Sequence, residues 1–215
     1  MSAILYHLQN SDDANRKKAI AAAAEALREG KLVIFPTETV YGIGCDALNP
    51  EAVDALYRAK NRPYDKPLLL HLYDQKQAER SAVLDEKANL LLKTFTPGPF
   101  SLIVPKKELI PSIVTSGGDT VGLRFPSDPT FLELAEEFGG IIAATSANLS
   151  GFSSAKDGKA VEELIEIADV ILENGECRYS LESTILSMTG SGPRILRQGA
   201  LSREKVEEVI GPCES

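Results

Sequence analysis

Short apolar segments alternate with helix-forming segments along this chain, and the alternation limits the folds that it can adopt. Residues 11–28 combine an acidic first turn with many alanines and are followed by Gly30, which predicts a helix. Residues 32–35 are apolar and end at a proline, which predicts a buried strand. Similar patterns predict helices at 49–58, 86–95, 129–138, 160–168 and from about 202, and strands at 68–72, 100–104, 120–125, 141–145, 169–172, 183–187 and 194–196.

These helices and strands alternate without strict order, so the predicted fold class is α/β, with one twisted sheet of mixed parallel and antiparallel strands flanked by helices. The chain has 215 residues, of which 43% are hydrophobic and 25% charged, enough to bury a sizeable core. It contains no obvious linker or internal repeat. We therefore expect a single domain over residues 1–215, with its motifs between about 15 and 200 and a C-terminal tail over about 201–215.

The cysteines and the N-terminal residues bear on the compartment. Cys45, Cys177 and Cys213 are odd in number and widely spaced, which predicts reduced thiols. The chain starts without a basic segment followed by a long apolar one, and no apolar run reaches about 18 residues. The two histidines and three cysteines show no metal-ligand spacing. We expect a cytoplasmic protein that neither spans a membrane nor holds a structural metal.

The charge distribution favours a small anionic ligand. The formal net charge is -8, which disfavours a large nucleic-acid or membrane partner. Residues 58–71 nevertheless contain four Lys or Arg and one Asp. A basic pocket on an acidic protein suits a small anion better than a long polyanion.

Three of those cations lie in the segment 59–67, at Lys60, Arg62 and Lys66. Prolines follow Arg62 and Lys66 directly and bias both residues toward extended backbone. In an extended chain residues two apart share a face, so the three cations are predicted to point the same way and to bind phosphate. The alternative is a solvated basic turn.

Two loops that follow predicted strands carry small polar residues, as ligand loops in open α/β sheets do. The loop 36–44 has hydroxyls, including Thr39, and two glycines that allow close backbone approach, or it is a plain glycine turn. In the loop 144–151, Ser146 and Asn148 can donate side-chain hydrogen bonds to one anion, although they can also simply close a turn.

Further candidates lie at other strand ends. Arg124 sits among apolar residues and needs an anionic partner, either a structural carboxylate or a substrate carboxylate. A lone histidine such as His71 at a strand end more often has a structural than a catalytic role. Cys45 has no clear base beside it and is assigned to the core. Residues 182–185, with 197–199 downstream, form another polar segment.

Taken together and in order, these segments resemble the YrdC-like threonylcarbamoyl-AMP synthases. The resemblance covers roughly residues 15–200 and depends on PTETVYGIG at 36–44, KNRPYDKPLLLHL at 60–72, TPGPFSLIV at 96–104, DTVGLRFP at 119–126, ATSANLSG at 144–151, ESTI at 182–185 and LRQG at 196–199. The chain departs modestly from the pattern, with Phe95 where many members have tryptophan and Lys66 where some have asparagine. It is similar to the short form of the family, without the C-terminal domain of longer members.

The resemblance implies a YrdC-like fold with a basic concave pocket and a nucleotidyltransferase, L-threonylcarbamoyladenylate synthase. Such an enzyme joins ATP, L-threonine and bicarbonate into threonylcarbamoyl-AMP and pyrophosphate, with Mg²⁺ accompanying the nucleotide. The product is passed to the tRNA threonylcarbamoyl transferase machinery, which forms threonylcarbamoyladenosine in tRNA. Weak direct contact with RNA is also implied, and contact with a membrane is not.

The resemblance also assigns roles to residues. The catalytic positions around the phosphates are Lys60, Arg62, Ser146 and Asn148. The further ATP-binding positions are Lys66, Thr120, Ser154 and Arg197, and the L-threonine-binding positions are Thr39, His71, Arg124, Ala144 and Ser183. No metal-ligating residue is implied.

Two other functions remain to be distinguished. A YciO-like paralogue would keep the nucleotide pocket and perform a different reaction, and the intact set of four phosphate residues argues against it. A non-enzymatic factor that binds double-stranded RNA would need clustered basic residues outside the pocket, and the acidic total charge argues against that.

Overall fold

The computed structural model describes residues 3–214, and its strands form one ten-stranded sheet. In chain order the strands are β1 (Ile4–His7), β2 (Val33–Phe35), β3 (Gly42–Asp46), β4 (Leu69–His71), β5 (Phe100–Pro105), β6 (Thr120–Arg124), β7 (Ile142–Ser146), β8 (Val170–Glu173), β9 (Thr184–Ser187) and β10 (Arg194–Arg197).

The order of the strands across the sheet is β1-β8-β2-β3-β7-β4-β6-β5-β9-β10. Pairing is parallel for β1 with β8, β2 with β8, β4 with β6 and β5 with β9. Pairing is antiparallel for β2 with β3, β3 with β7, β4 with β7, β5 with β6 and β9 with β10. The predicted α/β class with a mixed sheet is therefore confirmed.

The helices are α1 (Asp13–Arg28), α2 (Pro50–Ala59), α3 (Gln75–Ser81), α4 (Glu86–Phe95), α5 (Pro129–Phe138), α6 (Gly158–Glu162) and α7 (Arg203–Ile210). Each begins after a residue whose side chain accepts a hydrogen bond from a backbone N–H of the first turn, which satisfies a donor that has no partner within the helix. These N-cap residues are Asp12, Asn49, Asp74, Asp85, Asp128, Asp157 and Ser202.

One face of the sheet is only half covered by helices. Helices α1 and α5 pack against each other and over β8 and β2, where Leu27 and Phe131 bury against Val33, Phe35 and Leu172. Neither α1 nor α5 reaches β6, β5 or β9, since the core that they form ends at Ala144 and Ile142 of β7.

The other face is covered by α2, α4 and α7 and forms the larger core. Leu70, Leu102, Leu123 and Leu186 project into it from β4, β5, β6 and β9 and are completely buried. Because side chains alternate along a strand, the neighbours of these leucines point to the uncovered face. The fold thus leaves an open surface over the central strands.

The sequence did not predict β1, β3 or α3, and it placed a helix at 160–168 where α6 ends at Glu162 and turns follow. Strand β3 was interpreted as a glycine loop because Gly42 and Gly44 stand on one of its faces. A Cβ at Gly42 would lie 2.8 Å from the Phe35 ring, and one at Gly44 would lie 2.7 Å from Ile142. Both glycines are therefore required by close packing within a strand.

The part of the chain that the structure describes, residues 3–214, contains no helix long and apolar enough to cross a membrane. All three cysteines are buried and unpaired, and Cys45 is a core residue as predicted.

Two adjacent leucines of α4 provide a test of the larger core. Leu91 is completely buried, whereas Leu90 is 46% exposed. We expect Leu91→Ala to lower the free energy of unfolding by about 2–5 kcal/mol, because it removes buried methyl groups and leaves a cavity. Leu90→Ala should lower it by less than about 1 kcal/mol. Urea denaturation of both variants measures the difference, and equal losses would contradict the packing described for α4.

Candidate functional site

A cavity of about 260 Å³ occupies the uncovered face of the central strands. Its floor is made of residues at alternate positions of neighbouring strands, namely Gly42 of β3, Leu69 and His71 of β4, Ile103 of β5, Arg124 of β6, Ala144 and Ser146 of β7 and Ile185 of β9. Its walls come from loops and from the end of β10. The loop residues are Val40, Tyr41, Arg62, Pro67 and Glu182, and β10 contributes Arg197. Strand alternation thus brings together residues from across the whole chain.

Arg124 is held in the cavity floor by a buried network. It is 5% exposed, and its Nη2 donates hydrogen bonds to Thr37 Oγ1 at 3.1 Å, to Glu38 Oε1 at 3.0 Å and to Thr39 Oγ1. The Glu38 carboxylate also accepts a bond of 2.7 Å from the Ser127 backbone N–H. Arg124 therefore has a structural carboxylate as its partner. Its Nε, in contrast, is buried without any hydrogen-bond partner.

His71 lies beside Arg124 in the floor and is 3% exposed. Its ring meets those of Phe35 and Phe131 edge-on, with centroids 6.0 and 5.9 Å away. Burial, and then the positive charge of Arg124, hold the pKa of His71 well below its ordinary value. Its Nδ1 is buried without a partner. The imidazole is therefore neutral at pH 7.

Lys60, Ser146 and Asn148 form one hydrogen-bonded cluster. The Lys60 ammonium is 1% exposed and donates to the Ser146 carbonyl and to Asn148 Oδ1, the latter at 3.1 Å. Ser146 Oγ donates to the same Asn148 oxygen at 2.7 Å, and the Asn148 amide donates to two backbone carbonyls of its own loop. Burial, and then the charge of Arg62, lower the pKa of Lys60 to about 7.

The predicted extended geometry of the basic segment is wrong. Lys60 has helical backbone angles and caps α2, and Asn61 follows with a φ of 49°, so the chain reverses there. Lys60 is buried whereas Lys66 is exposed, so their side chains do not share a face. Helix α2 extends to Ala59 and its C-terminal geometry sets the conformation of Lys60, whereas the prolines constrain only the residues directly before them.

Arg62 lines the cavity and is fixed by its own loop. Its Nε donates to the Lys66 carbonyl at 3.0 Å and its Nη2 to the Pro67 carbonyl at 2.9 Å. Burial lowers the pKa of its guanidinium, although the group remains charged at neutral pH. The carbonyl of Lys66 thus supports Arg62, whereas the Lys66 side chain does not line the cavity.

The opposite wall of the cavity is a network around Arg197. Its Nε and Nη2 donate to the Ser183 carbonyl at 3.1 and 2.9 Å, and Nη2 also donates to Ser183 Oγ at 3.2 Å. Glu182 accepts a bond of 3.0 Å from Ser154 Oγ. Burial acts to raise the pKa of Glu182, but backbone and Ser154 hydrogen bonds and the charge of Arg197 outweigh it and lower the pKa. Glu182 is therefore ionised.

A second cavity, of about 490 Å³, adjoins the loop after β7. Asn148 and Ser154 line it, whereas Ser146 lines the first cavity. Because Ser146 bonds to Asn148 and Glu182 bonds to Ser154, the two cavities share their walls.

The structure brings most of the expected residues to the first cavity, where they line it, lie behind its lining or lie outside it. Those that line the first cavity are Arg62, His71, Arg124, Ala144, Ser146 and Arg197. Lys60, Thr39 and Ser183 lie behind that lining and bond to it. Thr120 begins β6 on the same face as Arg124, outside the lining, and Lys66 also lies outside it. The contacts of these residues with ligands remain predictions.

Sequence reasoning missed Glu38, Glu182 and the apolar floor residues Leu69, Ile103 and Ile185. Glu38 was in principle detectable, because an arginine among apolar residues requires a carboxylate and the 36–44 segment supplies one. The floor residues follow from strand alternation with His71 and Arg124, but only once the register of β4, β5, β6 and β9 is known.

Comparison with known proteins identifies relatives of this chain in sequence and in fold. The Sua5/YciO/YrdC family model, described as "Telomere recombination", matches residues 25–199. A threonylcarbamoyl-AMP synthase of Pyrococcus abyssi is 44% identical over 194 residues, which are 89% of this chain and 57% of that relative. The crystal structure of P. abyssi Sua5 complexed with L-threonine superposes with a TM-score of 0.93 at 41% identity, over 97% of this chain and 61% of that one.

The crystal structure of E. coli YciO superposes with a TM-score of 0.82 at 25% identity, over 94% of this chain and 98% of that one. The chain thus spans 57% of the length of the P. abyssi synthase and nearly the whole of YciO. The family match covers most of the chain and confirms the resemblance predicted from the motifs. The protein belongs to the Sua5/YciO/YrdC family.

Proposed function

We propose that the protein is an L-threonylcarbamoyladenylate synthase, a nucleotidyltransferase that makes threonylcarbamoyl-AMP and pyrophosphate from ATP, L-threonine and bicarbonate. The observation that carries the proposal is the convergence of Arg62, Arg124 and Arg197 on one cavity. Three guanidinium groups suit a site that holds a carboxylate and a polyphosphate together. The names of the relatives, and the L-threonine bound to P. abyssi Sua5, support the choice of substrates.

In this proposal Arg124 binds the threonine carboxylate. Glu38 and the two threonines hold its Nη2, which leaves the unpartnered Nε for the ligand. The neutral His71 beside it accepts or donates a hydrogen bond without adding charge. Thr39, Ala144 and Ser183 complete the contacts that we assign to threonine.

The triphosphate is bound by Lys60, Arg62, Ser146 and Asn148, with Lys66, Thr120, Ser154 and Arg197 as further contacts. In the structure the donors of Ser146 and Asn148 are bonded within the protein. Binding of ATP therefore requires these bonds to be exchanged for bonds to phosphate oxygens. The new bonds to phosphate are charge-assisted and therefore stronger, which offsets the loss of donors by the internal acceptors.

The chemical step needs positioning and charge stabilisation more than a nucleophilic side chain. The threonine amine takes up carbon dioxide, derived from bicarbonate, to form a carbamate. The carbamate oxygen then attacks the α-phosphorus, and the bond to pyrophosphate breaks. Arg62 and Lys60 stabilise the negative charge that develops on the phosphoryl oxygens.

We propose that Mg²⁺ arrives with the nucleotide. No group of three or more His, Cys, Asp or Glu within residues 3–214 is arranged to hold a metal ion. The triphosphate itself supplies oxygen ligands of the kind that Mg²⁺ prefers. When bound there, the ion neutralises charge on the leaving pyrophosphate.

We further propose that the chain acts as a single domain in the cytoplasm and passes its product to a tRNA threonylcarbamoyl transferase. The single sheet that extends across the described residues supports the assignment of one domain. A carbamoyl adenylate is a reactive mixed anhydride, so an acceptor enzyme must consume it promptly.

The first test is pyrophosphate release from ATP, assayed with and without L-threonine and bicarbonate. The proposal expects release that requires both. Release without stimulation by threonine would favour a YciO-like paralogue with another substrate. Tight RNA binding with a steep salt dependence, in the absence of any turnover, would favour an RNA-binding factor.

Replacing Arg62 tests the phosphate site. We expect Arg62→Ala to lower turnover on the order of 10²-fold, because it removes a preorganised charge from the transition state. The matched control is Arg58→Ala, since Arg58 is 69% exposed and pairs with Asp54 on α2. Arg58→Ala should stay within about twofold of wild type. Equal losses in the two variants would contradict a specific role for Arg62.

The lowered pKa of Lys60 predicts proton uptake on ATP binding. With a pKa of about 7 the group is mostly uncharged at pH 8 in the free protein. A bound triphosphate favours the charged form, so binding at pH 8 should take up as much as about one proton. Calorimetry in buffers of different ionisation enthalpy measures this uptake. Lys60→Arg is the control, because it keeps the charge and should bind ATP without proton uptake.

A further inference from the structure

Three apolar residues of the cavity floor have no structural explanation in the packing of the protein. Leu69, Ile103 and Ile185 are only half-buried, and all three line the first cavity. None of them belongs to either hydrophobic core, nor is any among the residues that pack against those cores. An apolar surface in a cavity with three arginines requires an explanation of its own.

The register of the sheet places these residues in rows across the strands. Ala144, Leu69, Gly122 and Ile103 lie directly opposite one another on β7, β4, β6 and β5 and form an apolar row. The next row contains His71, Arg124 and Ser101 at the corresponding positions, with Ile185 of β9 at its end. Across β4, β6 and β5 the cavity floor is therefore divided into a polar row and an apolar row, side by side.

The separation of the two rows matches the length of a small amino acid. Residues two apart on a strand lie about 7 Å from each other, so the backbone positions of the apolar row lie that far from the backbone of the polar row. A carboxylate bound to the guanidinium of Arg124 directs the α-carbon and side chain of an amino acid toward this row. A polyphosphate has no apolar group to place there.

Leu69 determines how much room the apolar row offers. A Cβ at Gly122 would clash with Cδ2 of Leu69 and would lie 3.8 Å from Cγ1 of Ile103. The Leu69 side chain therefore leans over Gly122 and occupies the space that a side chain there would fill. The depth of the floor depends on this contact.

We propose that the apolar row is the subsite for the amino-acid side chain and that Leu69, supported by Gly122, determines its size selectivity. The inference rests on the proposed synthase function. The methyl group of threonine packs against Leu69 and Ala144, and an additional methylene collides with Leu69. Leu69 is a specificity-determining residue and takes no part in the chemical step.

Two substitutions change the depth of the row in opposite directions. Leu69→Ala deepens it and should favour 2-amino-3-hydroxypentanoate, which is one methylene longer than threonine. Gly122→Ala pushes Leu69 into the cavity and should favour serine over threonine. One methylene in an apolar pocket changes selectivity by roughly 10–200-fold, so each ratio of kcat/KM should shift by at least about tenfold.

The experiment measures pyrophosphate release with threonine, serine and 2-amino-3-hydroxypentanoate for each variant. A ratio of kcat/KM between two amino acids is independent of the fraction of enzyme that is folded. Leu69→Val gives a milder shift in the direction of Leu69→Ala, and the double variant Leu69→Ala/Gly122→Ala should regain preference for threonine over serine. Leu90→Ala, on the exposed side of α4, should leave all ratios unchanged.

The outcomes separate the two proposals. If wild type shows no threonine-dependent release, the synthase function itself fails. If wild type responds to threonine but neither Leu69→Ala nor Gly122→Ala changes its ratio, only the assignment of Leu69 is overturned. Opposite shifts in the two variants support it.

Discussion

The structure depends on the alternation of side chains along its central strands. In β4, β5, β6 and β9, completely buried leucines point to a face covered by helices, and their neighbours point to the opposite face, which α5 covers only as far as His71. The burial of the leucines fixes the register, because a shift by one residue would expose them. The same register places Arg124, His71 and Ile103 at the cavity. The stability of the core thus positions the site.

The uncovered face can hold charge because each charged group there has hydrogen-bond partners within the protein before any ligand binds. Arg124 and Glu38 are both nearly inaccessible, and removing either would leave the other charge buried and unpaired. The pair therefore constrains the 36–44 loop and the end of β6 to meet in one geometry. Burial, and then the positive charge of the neighbouring Arg124, lower the pKa of His71 and keep its imidazole neutral.

The sequence predicted the architecture better than the local geometry of the site. Long helices, and strands rich in branched apolar residues, were predictable from pattern. Strand β3 was not, because its glycines are required by contacts with Phe35 and Ile142 that appear only in the folded sheet. The helix predicted at 160–168 was too long, as α6 ends at Glu162. The motifs indicated which residues meet, whereas the positions of Lys60 and Lys66 depended on the end of α2 and the left-handed Asn61.

Under the proposed function, the two halves of the site differ in whether existing hydrogen bonds must break when the ligand binds. Arg124 is fixed by acceptors on one nitrogen and keeps an unpartnered Nε, so a carboxylate adds a bond without breaking one. Lys60, Ser146 and Asn148 instead satisfy one another, so a phosphate must displace existing bonds. At Arg124, this preorganisation favours affinity for the carboxylate. At Lys60, the exchange of hydrogen bonds couples phosphate binding to protonation of the side chain. The charged ammonium gains a negatively charged partner in place of neutral ones.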